Sequence, residues 1–327
     1  MAGDFSRALA KGYNWKKSTQ GGARMLTSEY LESVVARYLP AARAGQVATY
    51  IPGLAAADPE QLGVCWMDQD GQVVTAGCWQ EAVTVQSIVK VAVFLQALAD
   101  CPMERLTEKI SLNATAERFN SIVDLEEKNA HRPLNPYINS GAIAALSLVK
   151  GEAFSRVMDL LEGLTGHPGL EVDQAVYRSE RETGDRNRAI AYFMRSTGIL
   201  EGEVEPLLED YFRLCSVRVD CRDLAAFGAT LADGGRNPVT GRVCAPREHC
   251  RTAMAVMLSC GMYGQSGEFL VHAGIPAKSG VGGGIMAAVP GRAGIGVIGP
   301  ALNHTGNSSG GVELLCALSR ELDLSIL

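Results

Sequence analysis

Residues 88–98 constrain the fold more than any other stretch of this chain. Ile88, Val89, Val91, Val93, Phe94, Leu95 and Leu98 leave a helix with almost no polar face. Such a helix belongs inside a protein, with structure packed on every side. Lys90 lies within it, one turn after Ser87, which opens it. Residues three apart share a helix face, so the Lys90 amine can reach the Ser87 hydroxyl. A serine beside an amine able to take its proton is an activated nucleophile. The neutral amine is the obstacle. An unperturbed lysine titrates near 10.4, so its neutral form at pH 7 costs about 4.6 kcal/mol. Burial lowers a lysine pKa by up to about 3–5 units, which offsets much of that cost. The plainer reading is an N-cap serine ahead of a core helix. There the Ser87 N–H, lacking an intrahelical partner, would sit at the positive end of the helix dipole and could stabilise an oxyanion.

The elements around this helix follow from periodicity and punctuation. Ser28 is expected to cap a helix carrying Leu31, Val34, Val35, Tyr38 and Leu39, ended by Pro40. Residues 63–67 and 72–76 read as strands joined at Asp68-Gln69-Asp70-Gly71, a hairpin turn. Residues 141–260 read mostly as helices. One spans about 152–164, and another runs from Asp220 to Asp233, where Gly234-Gly235 stops it. After Gly267, strands are expected at 268–273, 275–279, 284–289 and 293–298, then a last helix at 309–322. Strands near both ends with helices between predict an α+β fold. An antiparallel sheet forms from the N- and C-terminal strands with flanking helices, and an all-helical lobe is inserted. The expected division is an α/β lobe at about 26–100 and 261–327 with a helical lobe at about 101–260.

Bulk properties narrow the classes. The 327 residues are 47% hydrophobic, enough for a large core. A net charge of −6 leaves no basic footprint for nucleic acid. No apolar run reaches the roughly 20 residues of a membrane span. Nine cysteines occur without a C-x-x-C, an odd count that fits reduced thiols and a cytoplasmic location. Cys244, His249, Cys250 and Cys260 match no zinc spacing, so buried thiols are expected there. Residues 1–25 set Arg7, Lys11, Lys16, Lys17 and Arg24 against Asp4 alone. That stretch reads as an N-terminal extension or leader of transit-peptide character, with Met25 as an alternative start.

The S-x-x-K pattern occurs twice. Ser147-Leu148-Val149-Lys150 comes late in a helical run, with Gly151 as a helix stop. A hydroxyl there bonds back to the preceding turn, so Ser87 is the better nucleophile. Much later, Lys278-Ser279-Gly280 lies in a glycine-rich, strand-like stretch. S-x-x-K with a later K-[ST]-G is the layout of the serine β-lactamases and penicillin-binding proteins. The glycines after Ser279 lack the Gly-Lys-[Ser/Thr] ending of a P-loop and suit close backbone approach to a substrate instead.

Five segments carry a closer resemblance. They are Gln86–Lys90, Asn135–Ile143, Ser179–Asn187, Ser259–Gly267 and Ala277–Gly284, with Tyr50-Ile51-Pro52 and Asp210–Ser216 in support. In this order, from about Met25 to the C-terminus, they resemble the serine-dependent glutaminase family. That resemblance implies a β-lactamase-like fold and hydrolysis of L-glutamine to L-glutamate and ammonia through a glutamyl-serine ester. It implies that Ser87 attacks, Lys90 activates it, Tyr263 shuttles a proton to the leaving ammonia and Tyr211 orients groups. The N–H groups of Ser87 and Val281 would form the oxyanion hole. Tyr50, Asn139, Glu180 and Asn187 would hold the amino-acid end of glutamine. No metal or organic cofactor is implied, and a homodimer or homotetramer is.

The residue chemistry agrees. Glu180 suits the α-ammonium, and Asn139, Asn187 and the Tyr50 hydroxyl can donate to the α-carboxylate. Tyr137 stands where the family usually has methionine and creates an accidental Y-x-N with Asn139. Ala116 replaces a glycine in a segment that borders the family's site entrance. Two rivals share parts of the pattern. A β-lactamase would turn over nitrocefin, but the chain lacks Ser-Asp-Asn. A non-catalytic amino-acid sensor would bind glutamine and release no ammonia.

Overall fold

The computed structural model describes residues 26–115, 120–127 and 131–327, so the readings for residues 1–25 and for Ala116 lie outside it. The first helix, α1, spans Ser28–Arg43. Its cap is Thr27 rather than Ser28: the Thr27 hydroxyl accepts the Tyr30 N–H at 3.2 Å. Pro40 does not end the helix as expected but sits inside it. A proline forfeits one ladder bond. Here the loss falls in the last turn, and Ala42 beyond it is still fully buried.

Strands β1 (Gly63–Asp68) and β2 (Val73–Gly77) form the expected hairpin. Asp68 Oδ1 accepts the Asp70 and Gln72 N–H groups, and Gly71 takes the positive φ the turn requires. After β3 (Val83–Thr84) comes a single 3-10 turn, Gln86–Ile88, and then α2 (Val89–Asp100). Ser87 therefore lies in the turn before the α-helix. Residues 89–98 of α2 are all buried, as the absence of a polar face predicted.

The chain continues through α3 (Met103–Lys109), α4 (Val123–Glu127), α5 (Asn139–Ser147), α6 (Ala153–Thr165), α7 (Gln174–Glu182), α8 (Asp185–Ser196) and α9 (Val204–Cys215). Strand β4 (Arg218–Val219) pairs with β3, so the helical stretch also contributes a short strand. Then come α10 (Cys221–Ala232) and α11 (Arg247–Cys260). Asp220 caps α10 in a reciprocal capping box with Asp223. Residues 268–273 are not a strand. They fall in α12 (Ser266–His272) and its C-cap, with Phe269 and Ala273 buried four apart on one side and Val271 exposed. Strands β5 (Ala277–Ser279), β6 (Gly284–Val289) and β7 (Ala293–Ile298) precede the final α13 (Ser309–Leu322).

The five main strands form one antiparallel sheet in the order β2-β1-β7-β6-β5. Alternate residues face opposite sides of it. Val64, Ile285, Ala287, Ile295 and Val297 share one core with Leu31 and Val34 of α1 and Leu314, Leu315 and Leu318 of α13. Cys65, Met67, Met286 and Ala288 enter the other core with α2 and α10. Helix α10 packs on β1, β6 and β7, while α2 runs among α5, α6 and α11. The head of α2 and strand β5 thereby meet at the junction between sheet and helices.

Candidate active site

The turn that carries Ser87 is fixed at its entry. Val85 donates to the Val217 carbonyl at 2.7 Å, continuing the β3–β4 pairing. Gln86 then adopts φ +48°, a left-handed conformation that costs a residue other than glycine of order 1–3 kcal/mol. Its side chain is buried, donates to Thr84 Oγ1 at 3.2 Å and hydrogen-bonds the Glu180 carboxylate.

Ser87 itself is buried, with its hydroxyl hydrogen-bonded to the Tyr263 phenol. Tyr263 opens a second 3-10 turn, at φ +52°, and its hydroxyl donates to the Ser279 carbonyl at 3.1 Å. Gly261 makes this approach possible. A methyl there would stand 1.8 Å from the Ala277 carbonyl oxygen of β5. Burial pushes the Tyr263 hydroxyl well above the usual phenol range, so it is held as a proton donor.

Two fully buried lysines stand behind Ser87. Lys90 Nζ donates to Asn139 Oδ1 at 2.6 Å and to the Tyr137 carbonyl at 3.4 Å. Lys278 Nζ donates to the Ser279 carbonyl at 2.6 Å and lies 4.5 Å from the centre of the Tyr263 ring. Desolvation brings the Lys90 ammonium down to about 8. Burial also lowers Lys278 well below its usual value, and the neighbouring Lys90 adds to the effect. Two ammonium groups in one dry site disfavour each other's charge.

The Lys90 donor also fixes the Asn139 amide. An ammonium has no acceptor, so the oxygen of Asn139 must face it. Asn139 Nδ2 then points to Asn187 Oδ1, 2.9 Å away, which leaves the Asn187 amine free to donate. Tyr211, buried on α9, points its hydroxyl at Asn139 Oδ1 from 3.4 Å. Gly141 lets the start of α5 tuck under the preceding loop, since a methyl there would meet the Asn135 carbonyl at 1.8 Å.

These elements enclose a pocket of about 100 Å³. Ser87, Asn139, Glu180, Asn187, Tyr211, Val281 and Tyr50 all line it, Tyr50 being 55% exposed. Lys90 and Tyr263 stand outside this lining, each bonded to a residue within it. Glu180 is buried, and desolvation raises its carboxyl to about 7 against the opposing pull of Gln86 and Lys90.

The lining also includes residues that the sequence reading gave no role: Gln86, Asn120, Thr183, Arg186 and Cys215. Arg186 Nε donates to the Asn120 carbonyl at 3.0 Å. Desolvation pushes the Cys215 thiol up to about 12, so it stays protonated. The second S-x-x-K is elsewhere: Ser147 Oγ donates to the Ala144 carbonyl at 2.7 Å and Lys150 is exposed. Tyr137 is a core residue, its hydroxyl on the Ala253 carbonyl and its ring edge-on to Phe94. Among the described residues, no helix is long and apolar enough to cross a membrane.

Comparison with known proteins agrees with this geometry. The family model described as Glutaminase matches residues 45–327. Glutaminase 2 of Clostridium perfringens (strain 13 / Type A) is 46% identical over 301 residues, 91% of this chain and 99% of that protein. The glutaminase of Clostridium tetani is 47% identical over 300 residues, 90% and 98% of the two chains. A solved Bacillus subtilis glutaminase, in covalent complex with 5-oxo-L-norleucine, superposes with a TM-score of 0.82 at 36% identity. That match covers 92% of this chain and 99% of the solved one. With sequence and backbone agreeing over nearly their whole length, this chain belongs to the glutaminase family.

Proposed function

We propose that this glutaminase cleaves L-glutamine to L-glutamate and ammonia through an ester on Ser87. The observation that carries the assignment is one pocket in which the Ser87 hydroxyl, the Glu180 carboxylate and the paired Asn139 and Asn187 amides converge. Glutamine supplies the complement to each: an amide, an ammonium and a carboxylate. Glu180 takes the ammonium. Asn187 and the Tyr50 hydroxyl donate to the carboxylate, and Asn139 holds Asn187 in register.

The Ser87 oxygen then attacks the side-chain amide carbon, and its proton passes to neutral Lys90. The carbonyl oxygen gains charge and is met by the N–H groups of Ser87 and Val281, donors of a kind worth about 10²–10³ in rate each. As the C–N bond breaks, the Tyr263 hydroxyl protonates the departing nitrogen, and ammonia leaves. Water attacks the ester by the same route in reverse, returning glutamate and free Ser87. Each role belongs to a group of the chain, so this route uses no metal or organic cofactor. The covalent complex of the Bacillus subtilis relative supports a route through a bond to the protein. The working form is a cytoplasmic homodimer or homotetramer, which light scattering after gel filtration tests directly.

Ammonia release from L-glutamine by the wild-type chain and by Ser87→Ala tests the assignment. Wild type is expected to be active and the variant to show nothing above background. Equal rates in both would remove Ser87 from the chemistry.

A further inference from the structure

A second cavity, of about 170 Å³, lies against the wall of the substrate pocket. Val281 lines both spaces. So does the segment 47–57: Tyr50 and Ile51 line the substrate pocket, whereas Val47, Leu54 and Ala57 line the second cavity. The partition is a small apolar cluster of Ala48, Ile51, Leu54, Val176, Val281 and Leu302, with Tyr263 packed against it. It is separate from the two main cores. The Gly53 N–H, donating to Ser179 Oγ at 3.0 Å, ties the segment to α7 beside Glu180. Four of the groups assigned to substrate or chemistry (Tyr50, Glu180, Tyr263 and Val281) are thus steadied by this partition.

The chemistry of the cavity is distinctive. Its walls are aliphatic, with Leu54, Val83, Val176 and Pro300 among them. Two opposite charges stand in the lining, Arg218 and Asp173. The Arg218 guanidinium has no hydrogen bond or ion pair among the described residues. Asp173 Oδ1 accepts from Ala175 and Val176 at the start of α7, and Oδ2 has no partner among the described residues. The space is well below that of a drug-sized pocket, roughly 300–1,000 Å³, and suits a small metabolite. Arg218 also borders a neighbouring pocket beside Glu171, Asp220 and Asp223. With Asp173 it gives the lining of this aliphatic space the charges complementary to a carboxylate and an ammonium on one small branched molecule.

We propose that this cavity binds a small aliphatic α-amino acid and that its occupant favours glutamine binding by packing the partition from behind. The proposal rests on Tyr50 and Val281 contacting substrate. A ligand that steadies both lowers KM. It adds no group to the reaction, so any change in kcat comes only through Tyr263 and Val281, which pack on the same partition. Coupling between sites is reciprocal, so glutamine tightens the amino acid by the same factor.

Calorimetry on the full chain tests it with L-leucine, with 4-methylpentanoate, which lacks the ammonium, and with isopentylamine, which lacks the carboxylate. L-leucine is expected to bind, each analogue at least about tenfold more weakly. Arg218→Gln should weaken L-leucine by at least about tenfold, and Ala57→Phe, which fills the space, should abolish binding. Both variants should keep basal glutamine hydrolysis. In the wild type, saturating L-leucine should lower KM for glutamine by about fivefold or more. Ser87→Ala should still bind L-leucine, so the heat signal stands apart from the nucleophile assignment. No heat with any of the three ligands overturns the proposal. So does binding unaffected by both variants, and so does simple competition with glutamine, which would place L-leucine in the substrate pocket.

Discussion

Lys90 shows how a single buried side chain sets the working range of this enzyme. With its pKa brought down to about 8, the neutral amine costs about 1.4 kcal/mol at pH 7, where a free lysine costs about 4.6. The sign follows directly. The neutral form increases as pH rises, so kcat/KM should climb through pH 7 to 8 and then level. Lys90→Arg, which cannot lose its proton, should be inactive across the whole range in a pH-stat assay. Glu180 adds a second limb. At about 7, its carboxylate becomes protonated as pH falls and the substrate ammonium loses its partner. Glu180→Gln should raise KM by about 10–100-fold, from the roughly 1.5–3 kcal/mol of a charged hydrogen bond. It should also remove the limb near pH 7 while moving the Lys90 limb to lower pH, because the Glu180 charge holds Lys90 up. The burial of Lys90 was legible because every neighbour in its helix is apolar. The hold of Gln86 on Glu180 was not. A left-handed glutamine has no sequence signature, and the partners it joins lie some 90 residues apart in the chain.

Capping and close approach decide matters among the elements. Asp220 satisfies the Asp223 N–H at the head of α10, and Asp223 returns the bond. Asp220→Ala should cost about 1–2 kcal/mol and lower the melting temperature by about 2–4 °C, with activity per folded molecule unchanged. Gly261→Ala is different in kind. Its methyl would collide with the Ala277 carbonyl, so the turn bearing Tyr263 must move, and kcat should fall far more than KM changes. The sequence marked 284–289, 293–298 and 309–322 correctly, because Gly, Pro and Asn breaks separate those segments. It misled at 268–273, where Phe269, Leu270 and Val271 favour a strand locally. The packing of Phe269 and Ala273 into the sheet's core makes one short helix instead. Pro40 misled for a related reason: the end of α1 is held by Ala42 against Gly310, not by local propensity.

Across the whole molecule, the two ends of the chain build one sheet. Gly63 pairs with Ile298 and Asp68 with Ala293. That both ends contribute strands was visible in the sequence. The strand order was not, since periodicity fixes which residues face inward and leaves open which strand lies beside which. A chain cut after residue 260 keeps only β1 and β2 of the five main strands. It should show no cooperative thermal transition by circular dichroism, whereas the full chain should show one. The same pairing governs synthesis. The nucleophile turn leaves the ribosome well before the segment bearing Tyr263 and Val281 and the strands that seat it. A nascent polypeptide is therefore chemically silent towards cellular glutamine until synthesis has passed strand β7 and the sheet can close.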